Sequence, residues 1–256
     1  MTPRILVYGS LAIIAFWVLY AKAISKNGFD LDDALIPAKE IRSGGPPRDG
    51  IPALIDPELI AVSEAEYLKD DDRVLAVVIS GEARAYPIRI LDQHEIVNDG
   101  IGKQRFAVSY CPLCGTGVVF ASDAGETSLI FGVSGLLYNS DVLMYDRNTE
   151  SLWSQLMGQA ISGRLKGVKL PLLPVFHTSW SEWQSRYPDT KVLSLDTGYM
   201  RNYSESAYAG YEKSRQLYFK VNNKAPKDYH PKEWVLGVEV DGVFKAYPFK
   251  ELTENS

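Results

Sequence analysis

The feature that most constrains the fold is an internal echo. Residues 73–91, RVLAVVISGEARAYPIRIL, align without a gap on residues 234–252, WVLGVEVDGVFKAYPFKEL, and both copies carry V-L-x-V and A-Y-P. In each, apolar residues alternate on either side of a two-residue turn signal, Ser80-Gly81 in the first and Asp241-Gly242 in the second. A period of two buries one face of a strand, and glycine tolerates the positive φ of a tight hairpin turn. Each copy therefore predicts a β-hairpin. Tyr86-Pro87 and Tyr247-Pro248 end the second strands, because proline has no N–H to continue a ladder. Two copies predict a pseudo-symmetric single domain, with the unshared stretch 92–233 as the place where a site would be built.

From Gly50 onward apolar strand-like runs alternate with turn residues, and few stretches are helical. SEAEYLKD has capping-box spacing between Ser63 and Glu66. TSWSEWQSRYP begins at a Thr178 or Ser179 cap and stops before Pro188. The fold class is accordingly mainly β, a β-rich α+β chain with a few short helices. Residues 50–256 form one β-rich extracytoplasmic domain. Residues 26–49, ending in RSGGPPRDG, read as a linker, since consecutive glycines and prolines prevent regular structure.

Residues 1–25 differ in kind. An uncharged run from Ile5 to Ala21, ILVYGSLAIIAFWVLYA, is flanked by Arg4, Lys22 and Lys26. Its length suits one transmembrane helix and slightly exceeds a usual signal-peptide core. An N-terminal membrane anchor is expected, with the body periplasmic or at the cell surface; cleavage at Ala21-Lys22-Ala23 would instead make the chain secreted. A net charge of −5 and no clustered basic stripe exclude a nucleic-acid partner. A small-molecule or protein partner stays open.

The two cysteines, Cys111 and Cys114, stand in YCPLCGTGVVF between the strand-like runs QRFAVSY and TGVVFAS. A redox dithiol needs its first cysteine at a helix N-terminus, where N–H groups stabilise the thiolate. A strand-flanked C-P-x-C-G is instead the knuckle of metal sites, in which the glycine lets backbone N–H groups point at sulfur. A single knuckle must be completed by other residues. Of three histidines, His94 ranks first as a ligand, His177 second, and His230 reads as solvent-facing. Thiolates with imidazole fit copper ahead of zinc. A plain disulfide is the bland alternative, although so short a loop gains little.

A second polar group crowds into residues 131–163, where Asp141, Tyr145, Asp146, Arg147, Trp153 and Gln155 could wall a pocket or could simply build hairpins. Glu95, Asn98 and Asp99 sit beside His94. No carboxylate pair, serine elbow, phosphate loop or H-E-x-x-H motif is present.

The ordered blocks GIPALIDP, GEARAYP, HEIVND, YCPLCG, FGVSGLLYNSDVLMYDR, SLWSQ, PDTKVLS and DTGY, followed by the second VLGVEVDG…KAYP, resemble the bacterial and archaeal domain-of-unknown-function family number 3179. The likeness runs from about Gly50 to Pro248. It implies an exported or membrane-attached protein and brings no activity with it. Three functional expectations follow: a soft-metal-binding protein handling copper or zinc or using it in a redox step, a thiol–disulfide oxidoreductase, or a non-catalytic binding module with a structural disulfide.

Overall fold

The structure, a computed structural model, describes residues 24–124 and 127–254. Three five-stranded sheets make up its body. The first has the strand order Phe176–Ser179, Arg73–Ile79, Glu82–Pro87, Lys191–Leu193, Leu59–Ala61. The second runs Leu172–Leu173, Thr116–Ala121, Gln104–Cys111, Ile96–Ile101, Leu54–Ile55, and the third Gln159–Ser162, Leu152–Ser154, Asp141–Asp146, Phe131–Tyr138, Ile41–Ser43. Neighbours are antiparallel except Lys191–Leu193 beside Glu82–Pro87 and Leu54–Ile55 beside Ile96–Ile101.

Side-chain alternation orders these sheets into a stack. In the strand Gln104–Cys111, Phe106 and Val108 pack with Leu75, Val77 and Tyr86 of the first sheet. Ala107 of the same strand packs with Phe131, Met144 and Trp153 of the third. The second sheet is thus covered on both faces, which is why all six residues from Phe106 to Cys111 are buried. Each large side chain so buried contributes roughly 1.5–3 kcal/mol. The outer face of the first sheet is closed by the helix Trp180–Arg186 through Trp180 and Trp183.

Several expectations hold. Both hairpins form, with strands Arg73–Ile79 and Glu82–Pro87 in the first and Val235–Val240 and Val243–Pro248 in the second. Their turns carry positive φ at Ser80 and Gly81 (51° and 83°) and at Asp241 and Gly242 (51° and 76°). A helix follows each, Ile88–His94 and Phe249–Glu254. The helix Trp180–Arg186 starts at a Ser179 cap that accepts from the Glu182 N–H.

Others need correction. The two hairpins differ in setting: the first lies inside a five-stranded sheet, whereas the second is a two-stranded sheet of its own, largely exposed. The echo is therefore a repeated local unit without a repeated environment. Residues 26–49 do more than link. Phe29, Leu31, Ile36 and Ile41 are buried against Leu136, Leu143 and Tyr145 of the third sheet, and Ile41–Ser43 is its edge strand. SEAEYLKD yields only the 3-10 turn Val62–Glu64, where Glu64 caps the Ala61 N–H at 3.0 Å.

The apolar run Ile5–Ala21 lies outside the described residues, and no described helix is long and apolar enough to cross a membrane. Membrane attachment through an N-terminal helix, expected from hydropathy, is therefore unsupported and is withdrawn.

With the middle sheet dry on both faces, its polar side chains must be paired within the protein. Asn98 does this between sheets: its amide donates to the carbonyls of Leu54 (3.1 Å) and Phe131 (2.9 Å) and accepts from the Phe131 N–H (2.7 Å). Asn98→Ala leaves those backbone groups unsatisfied, and urea unfolding should show a loss of about 1–3 kcal/mol or more; an unchanged midpoint would contradict this role.

Candidate metal centre

Strand periodicity aims the first cysteine. Cys111 shares a face with Ala107 and Ser109, the face turned towards the third sheet. The chain then turns through Pro112, Leu113 and Cys114, with Gly115 at φ 66° donating its N–H to the Cys111 carbonyl at 2.8 Å, and resumes as Thr116–Ala121. The knuckle between two strands is as the sequence predicts.

Asp141 comes from across the sheet interface. The turn Asn139-Ser140, with φ 53° and 64°, starts the strand Asp141–Asp146. Cys111 Sγ donates to the Ser140 carbonyl at 3.5 Å, Cys114 Sγ to Asp141 Oδ1 at 3.3 Å, and Asp141 Oδ2 accepts from the Leu156 N–H at 3.2 Å. One ligand atom from each of Cys111, Cys114 and Asp141 lies within 4.8 Å of the others. The two thiols are not joined; Cys111 is buried and Cys114 exposed.

The electrostatics are one-sided. Burial first, then Asp141 and Asp92, push the Glu95 carboxyl up to about 8. Burial pushes Asp141 up to about 6, against the hydrogen bonds from the thiols and backbone that pull it down. The Cys111 thiol is driven far above its ordinary value by burial, then by Cys114, Asp141 and Glu95.

The histidines stand apart from this group. His94 is fully buried, with Nδ1 2.7 Å from the Pro52 carbonyl and Nε2 2.6 Å from Tyr203 Oη. His177 Nε2 lies 3.0 Å from the Gly117 carbonyl. Neither lies in the group that converges, so the expected thiol–imidazole cluster is replaced by two thiols and a carboxyl. His94 and Glu95 diverge because the helix Ile88–His94 ends there and Glu95, at φ 58°, reverses the chain into the next strand.

The remaining candidates mostly hold the fold. Asp99 accepts from Tyr86 Oη (2.6 Å) and pairs with Arg84 (2.6 Å). Asp49 receives Tyr145 Oη at 2.5 Å and both terminal nitrogens of Arg147, at 2.7 and 3.1 Å. Asp146 accepts from Thr149 and from Trp153 Nε1 at 2.9 Å, fixing a turn. Gln155, next to the Leu156 that binds Asp141, donates to Ser109 Oγ at 3.0 Å and leaves its own buried Oε1 without a partner.

A cavity of about 450 Å³ adjoins the thiols. Its lining includes Val133, Leu136 and Val142 of the third sheet, the aromatic residues Tyr208, Tyr218 and Phe219, Glu95, and Leu113 from between the two cysteines. The aromatic wall belongs to residues 194–234, which have neither helix nor strand and cross the body as a strap. Ser140 Oγ donates to the Phe219 carbonyl (3.1 Å), the Asn222 N–H to Asn139 Oδ1 (2.8 Å), Ser206 Oγ to Asp92, and Tyr203 closes on His94. Asp141, which the sequence places in the second polar group, is not marked there as a ligand, and the strap aromatics are not singled out at all. The turn pair Asn139-Ser140 ahead of Asp141 was the available signal for the first; nothing in the strap's sequence marks the second.

Glu95 binds its proton more tightly folded than unfolded, so its contribution to stability is present below about pH 4.5 and is lost as pH rises through about 8. Burial lowers both His94 and His177, which act with the opposite sign below their ordinary 6.5. Above pH 7 the carboxyl should dominate: metal-free protein should melt at a lower temperature at pH 8.5 than at pH 7, and Glu95→Gln should flatten that slope. A melting temperature that rises over this interval, or a slope unaltered by Glu95→Gln, would contradict the assignment.

The chain matches no curated protein and no solved structure. The family model described as "Protein of unknown function (DUF3179)" matches residues 48–256, a span that takes in the knuckle, Asp141, Glu95 and the strap. On that match, which agrees with the likeness of the sequence blocks, the chain belongs to the DUF3179 family.

Proposed function

We propose that the chain binds one metal ion through Cys111, Cys114 and Asp141. The observation that carries this reading is the convergence of two thiols and a carboxyl, from the strand Gln104–Cys111 with its following turn and from the neighbouring sheet, to within 4.8 Å, with Cys111 and Asp141 buried. Charges buried together without compensation are costly, and a cation supplies the compensation. It would hold both sulfurs as thiolates, in which form they ligate.

The donor set revises the expected order of metals. Cu(I) prefers sulfur and imidazole, whereas two thiolates and a carboxylate oxygen suit Zn(II). With three protein ligands, zinc retains a place for water or substrate. Zinc therefore ranks ahead of copper, and the reading is metal binding with a metal-assisted step rather than electron transfer.

The thiol–disulfide reading has less support. An attacking cysteine must be accessible and acidic, but Cys111 is buried with its thiol pushed up, and it ends a strand. The binding-module reading with a structural disulfide fits poorly with two separate thiols.

Metal analysis after loading with zinc under reducing conditions tests the proposal. The parent should retain about one equivalent. Cys111→Ser and Cys114→Ser should retain less than about a tenth of that, and Asp141→Asn should hold zinc at least roughly tenfold more weakly, as expected when a ligand is lost. Equal metal content in parent and variants would refute it.

A further inference from the structure

The cavity beside the thiols contains a carboxyl that the metal reading does not use. Glu95 is 7% exposed and lines the cavity. Among the described residues its carboxyl has no hydrogen-bond partner, and the interactions that act on it are burial and two other acids, Asp141 and Asp92. An unpartnered, largely buried carboxyl that faces a mostly apolar cavity can be satisfied by a ligand group.

The surroundings specify that group. Negative ligands are disfavoured, because the groups that act on Glu95 are the acids Asp141 and Asp92, and the Cys111 thiol and the Tyr208 hydroxyl are themselves raised by it. Tyr208, Tyr218 and Phe219 line the same cavity, and aromatic side chains attract a cation and offer area to hydrocarbon. About 450 Å³ is within the size range of small-molecule sites. We propose that the cavity binds a small apolar amine, its ammonium on Glu95 and its hydrocarbon body against the aromatic strap. This site goes beyond the metal centre and does not need the metal: Asp141 and the thiols serve the ion, and Glu95 serves the amine.

Calorimetric titration of metal-free, full-length protein with n-octylamine, 1-octanol and octanoate tests this, since the three differ in head group and by no more than one methylene of chain. The amine should bind about tenfold or more tighter than the alcohol, as one buried charge-assisted contact predicts, and octanoate weakest of all. Glu95→Gln should reduce amine affinity to that of the alcohol while alcohol binding, which serves as the folding control, stays the same; Phe219→Ala should weaken both. The Cys111→Ser/Cys114→Ser double variant should bind the amine as the parent does, so that loss of the metal and loss of the amine are read separately. Octanoate binding as tightly as the amine, undiminished amine affinity in Glu95→Gln, or no amine binding by folded protein would each overturn the proposal.

Discussion

The middle sheet has no wet face, and the rest of the molecule follows from that. A sheet covered by other sheets on both sides cannot pass its polar groups to water, so each must find a partner inside. Over most of the sheet this is done. Asn98 completes the backbone of two neighbouring strands, and Asp99 is held between Tyr86 and Arg84. At the Cys111 end the pattern changes. There the polar groups are acids packed against acids, with burial as the largest influence on each. A fold that pairs its polar groups elsewhere and packs acids together at one place supports the proposal of a cation site there.

How the acids are delivered explains why the arrangement is rigid. Cys111 is aimed by the pleat of a fully buried strand, Cys114 by a turn that Gly115 closes, and Asp141 by the first position of a strand in the neighbouring sheet. None depends on a long flexible side chain. The strap then roofs the adjoining cavity, and it is tied at Tyr203, Ser206, Phe219 and Asn222 to residues beside the site, His94, Asp92, Ser140 and Asn139. His94 therefore ties down the strap through Tyr203, although its place in the chain ahead of the thiol pair suggested a ligand.

Local signals were read well and tertiary ones were not. Ser80-Gly81 and Asp241-Gly242 announce their hairpins because a positive φ is a property of two residues, and Cys-Pro-Leu-Cys-Gly between Val- and Phe-rich runs announces its knuckle for the same reason. Asp141 lies 27 residues beyond Cys114 and meets it only because two sheets stack; no spacing rule encodes that distance. His94 and Glu95 are neighbours in sequence that a backbone reversal sends to different places, so Glu95 lines the cavity while His94, expected as a ligand, does not join the thiols. The segment 26–49 reads as a linker because its glycines and prolines conceal Phe29, Leu31, Ile36 and Ile41, which recur without a period yet fill a core. The second hairpin has the pattern of the first but lacks flanking strands, and pattern alone cannot supply those.

X-ray absorption at the zinc edge is the most direct test of the central claim, that two thiolates and one carboxylate share a cation. The account predicts a mixed shell, two sulfurs at about 2.3 Å with oxygen ligands at about 2.0–2.2 Å. A shell of nitrogen and oxygen alone, or one with a single sulfur, would contradict it.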